Sequence, residues 1–456
     1  MIVEFIARNF RSIKNDIVLS FESNSSKQKI ENIFSAKYGT KGNEHNLIKS
    51  LAIYGANASG KSNIINAFFA LQYLIKSSHR NEIGNTIPCY EPFALSVENQ
   101  NMPTYFEVSF IMPLLTKSGE QSTKFKYIVQ YNKTKIEREE LYIYNTVKDT
   151  LLFTRKSEAQ QFHTVEFKRS LNVEGAKKEV LENQLFLSKF NTDVHSVLTP
   201  ICAYFRDIDI ELADGSSRTK IINDRIAREI MSDSTNSLKK KLIHLTEVAD
   251  MSIKGISVKE RDESEFNFLG IFPDKLKKKI IDDNKLNIEF EHPLYKGEQE
   301  VDTERISIER QSLGTQVIFG LGARMLQALE KGGVLFYDEI NSSLHPLLSK
   351  FLVSLFNNNI SNPKNAQLVV TSHEPSIIER GHLRSDQIWF VEKNVYGASE
   401  LFSAQDFEGV REDIPFDKWY ESGKFGAIPN IGSVTQMFDT FRKDEDYETK
   451  KKTKES

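Results

Sequence analysis

An α/β fold, a mixed sheet with helices that is split by a β-rich and helical insertion, is predicted by three observations. Residues 51–54 are an unbroken apolar run, the pattern of a strand buried on both faces. They lead into a glycine-containing loop and then into Ile64, Ile65, Ala67, Phe68, Leu71, Leu74 and Ile75, which recur at helical spacing. From residue 315 to residue 391, helix-patterned and strand-patterned segments alternate, and the stretch between these two parts reads first as strands and then as broken helix.

Taken in chain order, residues 2–6, 17–21 and 48–54 are strand-patterned, and residues 62–76 form the first helix. The opening Met-Ile-Val-Glu-Phe lacks the basic and long apolar regions of a signal peptide, so a cytoplasmic protein is expected. Strands are expected at 105–110, 125–131, 140–144 and 165–167. Residues 177–250 lengthen toward the helical period, with breaks at Pro200, at Asp214 and Gly215, and at 232–237. Strands return at 266–272, 286–290 and 305–308, followed by helix 315–329, strand 334–338, helix 347–357 and strands 367–371 and 387–391. The expected organisation is an N-terminal lobe with a β-subdomain (1–170), a helical insertion (171–265), a C-terminal lobe (266–440) and a charged tail (441–456).

Composition narrows the function classes. The 456 residues carry 60 Lys and Arg against 63 Asp and Glu, a net charge of −3, so there is no global cationic footprint for a free-standing DNA reader. Cys89 and Cys202, the two cysteines, exclude a disulfide framework, a Cys-rich zinc site and a CxxC zinc hook. No run approaches the ~20 apolar residues of a membrane span, and no heptad pattern persists long enough for a coiled-coil arm.

The chemistry concentrates in four segments. Gly55-Ala56-Asn57-Ala58-Ser59-Gly60-Lys61-Ser62, followed by Asn63, matches G-x-x-x-x-G-K-[ST] between a strand and a helix. Its glycines let successive N–H groups face phosphate oxygens, Lys61 reaches the β- and γ-phosphates, and the Ser62 hydroxyl ligates Mg²⁺. Residues 334–337 are four apolar residues followed by Asp338 and Glu339, placing both acids at the carboxyl end of a buried strand. Asp338 there suits a magnesium shell, and Glu339 suits a base that orients and deprotonates water. Ser312, Gly314 and Gln316 open a helix and make a second anion-binding surface. Residues 367–371 end in Ser372 and His373, where the imidazole is in place to hydrogen-bond a γ-phosphate.

In this order, a phosphate loop, a large insertion, an S-x-G-x-Q signature, four apolar residues with Asp-Glu and a strand ending in His resemble an ABC-type ATPase head of the SMC, Rad50 and OLD group. The sequence is more closely similar to bacterial AAA-family ATP-binding proteins of the RloA and AbiLi kind, associated with phage defence. The resemblance also rests on Asn9-Phe10-Arg11-Ser12, Pro92-Phe93-Ala94-Leu95, residues 338–346, residues 386–393 and residues 423–429. It implies ATP and Mg²⁺ as cofactors, Glu339 as catalytic base, His373 as switch histidine and Asp338 as metal partner. It further implies that Ser312 and Gly314 touch a nucleotide held by another subunit, that residues 341–344 form the D-loop, and that Arg11 approaches the phosphates. Gln130 is the candidate for the family's Q-loop glutamine, a metal contact. The signature reads Gln-Ser-Leu-Gly-Thr-Gln, a departure from Leu-Ser-Gly-Gly-Gln.

One phosphate loop and one signature per chain imply a dimer or higher oligomer with composite sites. The expected role is a defence switch that senses a phage protein or DNA and controls a separately encoded, nuclease-like effector, since residues 374–456 show no Toprim-like carboxylate constellation. A Rad50-like DNA repair ATPase is the alternative, with Lys239, Lys240, Lys241, Lys275, Lys277, Lys278 and Lys279 as its basic face.

Overall fold

The computed structural model describes residues 1–428 other than 117–118, 157–161, 169–178, 214–217, 251, 263–277, 279–280 and 282–284. The chain opens with β1 (Ile2–Arg8), β2 (Ile17–Ser20), β3 (Ile33–Tyr38), β4 (Asn43–Ile48), β5 (Ser50–Tyr54) and α1 (Lys61–Ser77). Six strands follow: β6 (Thr104–Thr116), β7 (Gly119–Tyr131), β8 (Ile136–Tyr144), β9 (Asp149–Lys156), β10 (Phe162–Phe167) and β11 (Glu179–Leu181). The middle holds α2 (Leu198–Arg206), β12 (Asp209–Glu211), α3 (Arg218–Ser232), α4 (Ser237–Ala249), β13 (Gly255–Glu260), β14 (Leu286–Lys296) and β15 (Gln299–Ser307). The last part holds α5 (Leu313–Lys331), β16 (Val334–Tyr337), α6 (Pro346–Asn357), β17 (Gln367–Ser372), β18 (Ile388–Lys393), β19 (Ser399–Ser403) and α7 (Phe416–Glu421).

A six-stranded sheet in the order β12-β16-β17-β5-β18-β19 organises the molecule. All its pairings are parallel except β18 with β19. The unbroken apolar runs now have a physical reason, because helices or the second sheet cover both faces of this sheet. Along β5, β16 and β17, Leu51, Ile53, Val334, Phe336 and Val369 enter one core. Their neighbours Ala52, Tyr54, Leu335, Tyr337, Leu368 and Val370 enter the other. Helix α1 buries Ile64, Ile65, Phe68 and Leu71 in the first core, and each such side chain contributes about 1.5–3 kcal/mol. Phe68 stacks on Phe336 with ring centroids 4.5 Å apart, fixing α1 against the strand that precedes the acids.

The second large sheet is antiparallel, in the order β11-β10-β9-β8-β7-β6-β1-β2. Gln367 of β17 clamps it to the first: its Oε1 accepts the Ile2 N–H at 2.6 Å, and its Nε2 donates to the Ile2 carbonyl at 3.0 Å. A third sheet, β13-β14-β15, leads into the signature segment. Because β11 pairs with β10, and β13 with β14, these sheets cross the expected domain boundaries at 170 and 265. The strand expected at 266–272 and the charged tail lie outside the described residues. Among the described residues, no helix is long and apolar enough to cross a membrane.

Candidate functional site

The parallel strands aim their carboxyl ends at one edge, where Gly55, Asp338, His373 and Lys393 follow or end β5, β16, β17 and β18. A cleft of about 520 Å³ opens there, lined by Asn57, Ala58, Gly60, Lys61, Ser62, Asn63, Glu339, His373 and Lys393. The loop over it is tightly wound. Ala58 has φ 64°, and Gly60 has φ 109°. A Cβ on Gly55 would lie 2.4 Å from the Val391 carbonyl oxygen, so the loop leaves β5 against the backbone of β18. Lys61 folds back over the loop and donates to the carbonyls of Gly55 at 2.8 Å and Ala56 at 3.0 Å.

Opposite the loop, Asp338 is 1% exposed and lies behind the lining, whereas Glu339 is exposed and reaches the cleft. Glu339 adopts the left-handed conformation, φ 57°, an unusual backbone for a residue with a side chain. Thr371 holds this turn: its hydroxyl accepts the Glu339 N–H at 2.7 Å and donates to the Asp338 carboxylate. The Ile340 N–H donates to the Thr371 carbonyl at 3.1 Å, and the Asp338 N–H to Glu211 of β12 at 3.0 Å. His373 lies in the cleft with the Asn341 amide nitrogen 3.1 Å from its Nε2. Burial pushes the Lys61 pKa down, and the nearby charges of Asp338 and Glu339 push it back up.

Four of the expected residues lie elsewhere. Arg11 is paired with Glu91, Nε to Oε2 at 2.5 Å, and is not among the residues lining the cleft. Gln130 sits on β7 opposite Tyr105 and Arg138, inside the antiparallel sheet, so the structure does not bring it to the cleft. Ser312 caps α5, its Oγ accepting the Thr315 N–H at 3.1 Å, and is exposed outside the cleft. Gly314 lies beside the D-loop segment, where an added Cβ would be 3.0 Å from the Ser343 carbonyl oxygen.

Residues 50–379, which contain the loop, the acids and His373, match the family model described as an AAA domain, putative AbiEii toxin, Type IV TA system. The chain belongs to this family. As an AAA domain it is a P-loop ATPase domain, and its sheet places the His373 strand between the loop strand and the acidic strand. No curated protein matches the chain. Among solved structures it is similar to an Smc head bound to the C-winged helix domain of ScpA, with 14% identity and a TM-score of 0.39 over 92% of this chain and 99% of that one. It is also similar to an Smc head domain with an extended coiled coil bound to the C-terminal domain of ScpA derived from Pyrococcus furiosus. There the identity is 11% and the TM-score 0.40, over 93% and 98% of the two chains.

Sequence reasoning missed three residues of this AAA domain. Lys393 adds a second cation to the cleft; it lay in the segment 386–393 that carries the resemblance, at the end of a parallel strand, but was not singled out as a site residue. Thr371 was visible as a strand residue, but nothing local revealed that it bridges both acids. Ser399, on the short strand β19, donates to the Ser59 carbonyl at 2.6 Å. Among the described residues no group of three or more His, Cys, Asp or Glu gathers to hold a metal. Ser62 at the start of α1 and the buried Asp338 nevertheless have the hard oxygen donors that magnesium takes, with phosphate and water completing its shell.

Proposed function

We propose that this AAA domain hydrolyses ATP with Mg²⁺ and works as an ABC-type conformational switch in a bacterial anti-phage defence system. The observation that carries this reading is the convergence of Lys61, Ser62, Glu339 and His373 on one cleft, with Asp338 directly behind it. The loop amides and the α1 N-terminus receive the phosphates, and Lys61 exchanges its carbonyl partners for phosphate oxygens. Ser62 and Asp338 would hold magnesium, which would neutralise charge on the phosphates. Glu339 orients and deprotonates the attacking water, and His373, braced by Asn341, hydrogen-bonds the γ-phosphate.

Self-association is supported by what the cleft lacks. Ser312 and Gly314 start a helix outside the cleft that the chain's own phosphate loop lines, with Ser312 exposed. A second copy of the chain brings its own nucleotide to that surface, so ATP joins two subunits and hydrolysis loosens them. The family's description as a putative toxin of a Type IV TA system supports a defence role. The switch then acts on a separately encoded effector, nuclease-like in chemistry, after sensing a phage protein or DNA. Of the basic face that the DNA-repair alternative uses, Lys241 is engaged by Glu330 at 3.4 Å, and Lys275, Lys277 and Lys279 lie outside the described residues.

The test is phosphate release by the purified chain with Mg²⁺ and ATP, beside phage plating on cells carrying the gene with its neighbours. Lys61→Ala is expected to abolish both hydrolysis and protection. Undiminished hydrolysis would remove the active-site assignment, and undiminished protection would remove the switch.

A further inference from the structure

We propose that Ser399 and Ser12 are positioning residues for the phosphate loop, an inference that rests on the nucleotide-site reading above. Four polar groups form a line under the loop. The Asn63 amide lies 2.7 Å from Ser12 Oγ, Ser12 Oγ lies 2.7 Å from Ser399 Oγ, and Ser399 Oγ lies 2.6 Å from the Ser59 carbonyl oxygen. Each hydroxyl has one hydrogen, and the Ser59 carbonyl can only accept. The hydrogens therefore run one way, with Asn63 donating to Ser12, Ser12 to Ser399 and Ser399 to Ser59. Every link is satisfied, and both ends of the line, Ser59 and Asn63, belong to the segment that surrounds the phosphates.

The line also fixes the shape of the turn. Gly60, between its two anchor points, has φ 109°, and a Cβ there would lie 2.1 Å from Ser399 Oγ and 2.7 Å from Ser12 Oγ. The two hydroxyls thus occupy the space beneath Gly60 and hold its peptide in the left-handed conformation of the loop. Ser399 and Ser59 are each 4% exposed, so water does not replace a lost link easily. Ser12 comes from the turn after β1, and its carbonyl accepts the Ser399 N–H at 2.8 Å. The loop is consequently set by β19 and by the turn after β1. Neither serine lines the cleft, so both act through the loop.

The experiment compares the full-length wild type, Ser399→Ala, Ser12→Ala and the double variant by calorimetric titration with ATP and Mg²⁺ and by steady-state kinetics. Each single variant is expected to weaken ATP binding and raise KM roughly tenfold while kcat changes less. The double variant is expected to lose little more than either single one, since one line is broken once. Ser399→Cys, which keeps the shape and a weak donor, should recover part of the affinity. Ser403→Ala, on the same strand but with its hydroxyl directed to Ser385 and Ile388, serves as a control for fold loss and should leave KM unchanged. Unchanged affinity in Ser399→Ala, or additive losses in the double variant, would overturn the proposal while wild-type binding preserves the nucleotide-site reading. Absence of ATP binding by the wild type would overturn both.

Discussion

The Thr371 hydroxyl is hydrogen-bonded to the Asp338 carboxylate, and the same oxygen accepts the Glu339 N–H at 2.7 Å. One side chain on the His373 strand therefore sets both acids on the neighbouring strand. On the proposed reading, this makes the position of the base, Glu339, depend on the strand that leads into His373.

Thr371→Val keeps the side-chain shape and removes both hydrogen bonds, leaving a buried carboxylate oxygen and an amide without their partner. The expected cost is about 1–3 kcal/mol of stability, with kcat lowered about tenfold or more. Urea unfolding and phosphate release measure the two, and Thr371→Ser should restore both. A fully active Thr371→Val would show that the bridge is incidental to catalysis.

Glu339→Gln keeps the size of the side chain and removes its basicity. ATP binding should persist, turnover should fall about a hundredfold or more, and an ATP-dependent oligomer should accumulate in light scattering after size exclusion. Turnover at the wild-type rate would reassign the base.

His382 supplies a pH test of the fold near the second core. Burial, and then Lys350 and Lys29, lower its pKa from 6.5 to about 4. Between these values the unfolded chain binds a proton that the folded chain refuses, so stability is complete above pH 6.5 and falls as the pH drops toward 4. The loss attributable to this group is at most about 3 kcal/mol. Urea midpoints of His382→Phe should therefore fall less steeply than wild type over that window, and parallel curves would contradict the assignment.

The two cores and the phosphate loop were legible in the sequence because both signals are local. Glycine spacing marks the loop, and the apolar runs at 51–54 and 334–337 mark strands covered on both faces. Arg11 and Gln130 were misplaced for the converse reason. A side chain's partner is a tertiary fact: Arg11 finds Glu91, and Gln130 belongs to a strand paired on both sides inside the antiparallel sheet. Strands such as β12, with three residues, carry too little periodicity to be seen, although β12 supplies the carbonyl that anchors Asp338. Thr371 and Ser399 look like ordinary strand residues until the fold places them beneath the acids and the loop.

Whether sites are shared between subunits is the central question, and mixing two inactive variants answers it most directly. Ser312→Arg blocks the exposed helix end, and Lys61→Ala removes the phosphate contact. Each alone should show no ATP turnover. Combined in equal amounts they should regain a measurable fraction of wild-type phosphate release, because one intact loop and one intact signature can meet across the interface. A mixture as inactive as its components, under conditions where the two chains co-purify, would contradict composite sites.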